Sequence, residues 1–146
     1  MKLIIAISIV VFACLVFSKD DEETKANKLG HDIITKMLTL FRNQDKDGLN
    51  LIFDDDFVSD ICGQIFSKKQ VTDHIMKNKK EYDIKFNITN GEIDGDELKF
   101  HVISETEHRD ELDYMDYVVI KDQGEFKTIF STNFTRCDLI KHDAKF

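Results

Sequence analysis

The apolar residues of this 146-residue chain change their spacing once, near residue 81, and that switch limits what the chain can fold into. Upstream of it, Ala26, Leu29, Ile33, Met37, Leu40 and Phe41 recur at intervals of three, four and one. Such spacing lays one apolar stripe along a helix of about five turns over residues 25–41. Lys25, Lys28, Asp32 and Lys36 fall elsewhere on the wheel. Asp20, Asp21, Glu22 and Glu23 stand at its start, where the helix macrodipole favours negative charge.

Downstream the period is two. Tyr82, Ile84, Phe86 and Ile88 alternate with Asp83, Lys85, Asn87 and Thr89, and Leu98, Phe100 and Val102 with Lys99 and His101. Phe126, Phe130 and Phe134 alternate with Lys127, Ser131 and Asn133, placing Thr128 and Thr132 on the phenylalanine side. Residues 112–121 form another strand, whose facing the pattern leaves open. Either Leu112, Tyr114, Asp116, Val118 and Ile120 point inward, or Met115, Tyr117 and Val119 do. Asp94-Gly95 and Asp122-Gln123-Gly124 supply turn chemistry, and His108 to Glu111 a polar reversal. Four strands joined by short turns predict an antiparallel meander with one apolar face. The preceding helices must cover that face, which makes the fold class α+β.

Between the two regimes the chain is punctuated. Asn43 to Gly48 end the long helix, and a short helical piece with Leu49, Ile52 and Phe53 follows. After Asp54-Asp55-Asp56, residues 57–66 read as a short hairpin around Gly63. Ser67 and Gln70 form a capping box opening a helix to about Lys77, with Val71 and Ile75 facing inward.

The first eighteen residues speak to compartment. Lys2 is their only charge, an apolar run fills Leu3 to Phe17, and Val16 and Ser18 occupy the −3 and −1 positions before Lys19. This is the order of a signal peptide, with cleavage expected after Ser18. The competing transmembrane anchor needs roughly 20 apolar residues, more than this run supplies. The division expected is thus a signal peptide over residues 1–18 and one soluble, secreted domain over residues 19–146. Cleavage removes Cys14 and leaves Cys62 and Cys137, which in an oxidising compartment most simply pair. The bridge would close a loop of about 75 residues and contribute roughly 4 kcal/mol. Two separate buried thiols are the alternative.

Net charge is −8, and becomes −9 once Lys2 is removed. Phosphate recognition needs a basic surface, and beyond Lys77, Lys79 and Lys80 this chain has no basic cluster, so a nucleic-acid partner is not expected. Twelve phenylalanines, with no tryptophan or proline, indicate a phenylalanine-rich core.

The long amphipathic helix, Phe53-Asp54-Asp55-Asp56-Phe57 entering a hairpin with Cys62-Gly63, the Phe66-Ser67-Lys68-Lys69-Gln70-Val71 helix start and the meander ending at Cys137 together resemble a known family. The chain looks like a nuclear-transport-factor-2-like (NTF2-like) domain, the cystatin-like α+β cone, and is similar to the secreted nematode proteins that contain it. The resemblance implies that the hairpin lies beside the last strand, bringing Cys62 near Cys137. It also implies an interior that enzymatic members furnish with an acid, a His or a Tyr, and an outer sheet face through which members commonly dimerise.

Several motifs could serve chemistry. Asn43, Asp45, Asp47 and Asp54, with Gly48, match positions 1, 3, 5, 12 and 6 of an EF-hand-type calcium loop. Asn at position 1, Asp at position 12 and Asn50 at position 8 depart from that pattern. The alternative is a polar turn between helices, with Gly48 as a C-cap or kink. Asn87-Ile88-Thr89 and Asn133-Phe134-Thr135 are sequons for N-glycans, both expected on the polar face of the sheet. Glycans there would obstruct dimerisation, so a monomer is expected. Asp116 becomes an interior general base, its pKa raised by burial, only if its strand takes the first facing. His31, His74 and His101 read as surface histidines. Two classes of function remain. One is a non-enzymatic secreted module without cofactor that binds an apolar small molecule or an extracellular protein. The other is a small isomerase, dehydratase or hydrolase using Asp116 with Tyr82 or Tyr114. Calcium binding is a lesser alternative.

Overall fold

Helix α1 spans Lys2–Asn43 in the structure, a computed structural model that describes residues 2–77, 84–106 and 112–134, with side chains from residue 21 onward. It begins well before the acidic run expected to start it. Nothing interrupts the backbone there, since the chain has no proline and its first glycine is Gly30. Ala26, Ile33, Ile34, Met37, Leu38 and Phe41 are buried, and Leu29 and Leu40 pack at the margin. The stripe is thus one column wider than its spacing predicted, because the helix lies flat on a sheet. α1 ends in a Schellman motif: Gln44 takes a left-handed φ of 54°, its N–H donates to Phe41 O, and Asp45 N–H donates to Leu40 O. Gly48, expected to cap or kink that helix, instead lies inside α2 (Lys46–Ile52), its N–H bound at 2.9 Å by the N-cap Asp45 carboxylate.

The remaining elements are β1 (Phe53–Ile61), β2 (Gln64–Ser67), α3 (Lys68–Lys77), β3 (Ile84–Asp94), β4 (Glu97–Thr106), β5 (Leu112–Asp122) and β6 (Glu125–Phe134). The capping box forms at the start of α3, where Ser67 N–H donates to Gln70 Oε1 at 2.9 Å. All six strands make one curved sheet of order β2-β1-β6-β5-β4-β3. β1 and β6 run parallel and every other pair antiparallel. The meander therefore forms as predicted, and the hairpin β1–β2 lies beside the last strand.

Bulges curve this sheet and correct two sequence readings. The Asp54–Asp56 run does not punctuate the chain but belongs to β1, in a stretch where Phe53 faces Ile129 and the next paired residue, Val58, faces Ser131. In β6, Val118 faces Ser131 and Val119 faces Ile129, so Phe130 is the extra residue. Ile129 is consequently buried, while Phe130, expected inside, is 37% exposed. A third irregularity, in β3, gives Asn90 a φ of 56° and aims Gly91 N–H at Asn27 Oδ1 of α1, 2.8 Å away. β5 takes the second of its two facings: Tyr117 and Val119 are buried and Met115 packs against the core.

Candidate functional site

The helices cover the concave face of the sheet incompletely and leave a cavity of about 710 Å³. Its walls are apolar, built from Met37, Phe41, Phe53, Phe57, Met115 and Phe134. Phe53 and Phe57 share the inner face by strand alternation and pack ring to ring at 4.5 Å, a distance the irregularity between Phe53 and Val58 allows by shortening that stretch of β1. Gln70, Asp73, His74 and Lys77 of α3 add polar groups to the lining.

One inward row of the sheet crosses the cavity floor. Phe100, Tyr117, Thr132, Ser59 and Phe66 face one another in succession across β4, β5, β6, β1 and β2. Phe100 lies parallel to Tyr117 with ring centroids 5.4 Å apart. The Phe100 ring also meets α1 at Gly30, where a Cβ would sit 2.9 Å from it. Thr132 Oγ1 donates to Ser59 Oγ at 2.8 Å. The Tyr117 hydroxyl has no hydrogen-bond partner among the described residues, and burial pushes its pKa upward. A measurable consequence follows from that shift. Above pH 10.0, the ordinary tyrosine value, unfolded Tyr117 loses its proton while the folded residue keeps it. The unfolded state then binds fewer protons, so stability falls as pH rises, by up to about 1.4 kcal/mol per unit. Urea unfolding between pH 9 and 11.5 (about one unit either side of the transition) should show this slope in wild type and a shallower one in Tyr117→Phe. Parallel curves would remove Tyr117 as the cause.

The carboxylate nearest this cavity is already engaged. Asp73 is hydrogen-bonded by Lys69, which holds its pKa below the usual value, and Lys46 Nζ lies 3.6 Å away. A second hollow of about 450 Å³, between α2, β1 and α3, is polar. Its three lysines pair internally, Lys68 with Asp55 at 2.8 Å and Lys46 and Lys69 with Asp73, and Thr72 Oγ1 is buried in its wall without a hydrogen-bond partner.

Most residues singled out from sequence lie elsewhere. Asp116 faces out of the cone, its Oδ1 2.7 Å from His101 Nδ1 on the neighbouring strand, so it is no interior base. Tyr114 stands beside that pair, its ring 6.0 Å from His101. Tyr82 lies outside the described residues, as does Cys137. Asn87 and Asn133 are exposed, as their alternation predicted. Cys62 sits at the hairpin corner with a φ of 56°. The calcium reading is not supported by the geometry. Asn43 ends α1, Asp45 caps α2, Asp47 lies in its first turn and Asp54 belongs to β1. No group of three His, Cys, Asp or Glu side chains among the described residues could hold a metal ion. His31 is a surface residue packed at 5.0 Å on Phe86. His74, read as a surface histidine, is half-buried and lines the cavity. Its position three residues after inward-facing Val71 was the available signal.

A sheet curved around helices so as to enclose an open-ended cavity is a cone architecture. Residues 27–138 match the family described as the NTF2-like domain, and the chain belongs to that family. An NTF2-like protein from Cytophaga hutchinsonii is similar in structure, with a TM-score of 0.59 at 19% identity over 74% of this chain and 95% of that one. An NTF2-like protein of unknown function from Silicibacter pomeroyi gives 0.59 at 16%, over 76% and 95%. A ketosteroid isomerase candidate from Shewanella frigidimarina gives 0.59 at 11%, over 75% and 97%. At these identities the likeness is one of fold. No curated protein matches the chain in sequence.

Proposed function

We propose that this chain is a secreted, non-enzymatic NTF2-like module that holds a small apolar molecule inside its cone. The observation behind this reading is the hollow itself: about 710 Å³ with walls of phenylalanine and methionine. That falls within the range of small-molecule sites, which are apolar with a few placed polar groups. The isomerase, dehydratase or hydrolase alternative loses support, because Asp116 stands outside the cavity and Asp73 is tied to two lysines. Export is supported by the signal-like residues 1–18. Among the described residues no helix is long and apolar enough to cross a membrane. A Cys62–Cys137 bridge is supported by the register, in which Asp60 faces Asn133 two residues before Cys62 and four before Cys137. Glycans on Asn87 and Asn133 would stand on the outer sheet face and favour a monomer.

Titration with N-phenyl-1-naphthylamine, which fluoresces on entering apolar surroundings, tests the cone reading. Wild type should bind one equivalent saturably. Val71→Trp, which narrows the cavity, should weaken binding at least about tenfold without lowering the melting temperature. Absence of saturable binding in wild type, or equal affinity in the narrowed variant, would reject it.

A further inference from the structure

We infer that the molecule held in the cone presents an uncharged carbonyl oxygen to the hydroxyl row Tyr117–Thr132–Ser59 on the cavity floor. This deepens the apolar-binding reading above and depends on it. The three side chains are buried, at 6%, 7% and 4% exposure, and all line the cavity. Among the described residues Thr72 Oγ1 is the one fully enclosed side-chain oxygen without a partner, so the Tyr117 hydroxyl is open to the cavity, and a donor facing apolar walls gains from an acceptor that a ligand brings.

Counting protons shows what the row lacks. Ser59 and Thr132 have two O–H groups and share one hydrogen bond, so one O–H of the pair is unspent. Tyr117 has one O–H and no hydrogen-bond partner among the described residues, and its phenol stays protonated at neutral pH. With Thr132 donating to Ser59, the floor offers two donors, Tyr117 on β5 and Ser59 on β1, on either side of Thr132 on β6. A carbonyl oxygen accepts two hydrogen bonds through its two lone pairs. A carboxylate would bring a charge into this enclosure, where of the two basic lining residues on α3 the lysine, Lys77, is exposed on the last turn and His74 is half-buried. Burial of an ion without a partner is unfavourable, which selects the neutral oxygen. Tyr117 is held for this task by the parallel Phe100 ring, which also meets Gly30 of α1.

Calorimetric titration of the protein as secreted from eukaryotic cells with 2-acetylnaphthalene and with 2-isopropenylnaphthalene tests the inference. The two compounds share their shape and differ in C=O against C=CH₂. Tyr117→Phe and Ser59→Ala should each weaken the ketone about five- to tenfold while leaving the alkene unchanged, the constant alkene affinity also reporting an intact fold. Ketone and alkene affinities that shift together, or that both stay fixed, overturn the inference and leave the apolar cone standing. Failure of wild type to bind either compound overturns the cone reading, and this inference with it. Tighter binding of 2-naphthoate than of the ketone overturns the assignment of a neutral oxygen.

Discussion

Gly91→Val is expected to destabilise the fold by about 3 kcal/mol, because it drives a side chain into the backbone of α1. A Cβ at Gly91 would stand 2.7 Å from Asn27 N and 2.8 Å from Ala26 Cβ. Neither is the end of a flexible side chain that could swing away. The same substitution forces Asn27 Oδ1, only 2.5 Å from that Cβ, to abandon the Gly91 N–H. Since Ala26 is fully buried, relief requires moving the helix rather than a rotamer. Urea unfolding of the variant measures the loss from its midpoint and slope. A loss below about 1 kcal/mol would mean that α1 and β3 do not approach this closely.

The second large effect concerns the proposed bridge. Cys62→Ser combined with Cys137→Ser should lower stability by roughly 4 kcal/mol, since the crosslink restricts a loop of about 75 residues in the unfolded chain. Intact mass of the wild-type protein secreted from eukaryotic cells, before and after reduction and deglycosylation, first establishes whether the bridge is present. The expected mass lacks residues 1–18, gains two hydrogens on reduction, and drops on deglycosylation if either sequon is occupied. A mass that retained residues 1–18 would sink the export reading. Equal unfolding midpoints for wild type and double variant would sink the bridge.

Where one element decides its own facing, the chain could be read directly. The α1 stripe needs only its own period, and the Ser67–Gln70 box only four consecutive residues. The alternation of β3 and β4 also settles itself, because Leu98, Phe100 and Val102 have polar residues between them. β5 could not be settled alone, as Tyr114, Val118 and Ile120 are as apolar as Met115, Tyr117 and Val119. Its facing is decided by its neighbours' register. β6 misled for a different reason: strict alternation assigns Phe130 inward, and only pairing with β5 reveals the bulge that substitutes Ile129. The Asp54–Asp56 run read as a turn because its composition is that of turns, whereas the irregular β1–β6 ladder accommodates it in a strand. The candidate site was least legible of all. Thr132 was placed on the inner side, yet its meeting with Ser59 and Tyr117 depends on a parallel pairing of distant segments that no local pattern records.

That parallel pairing has a temporal consequence. Ser59 and Thr132 are 73 residues apart, and every segment between them must leave the ribosome before β1 gains its partner on that side. The meander β3 to β6 can zip through neighbouring hairpins, but the floor of the cone closes last, and such long-range pairing is slow. Until then the β1–β2 hairpin presents the open edge of β1, the strand of Val58, which is 41% exposed even after folding. Unpaired edges of this kind recruit strands from other chains. Asp54, Asp55, Asp56 and Asp60 place four negative charges along that same strand, repelling a second nascent copy while the first awaits its own C-terminal half.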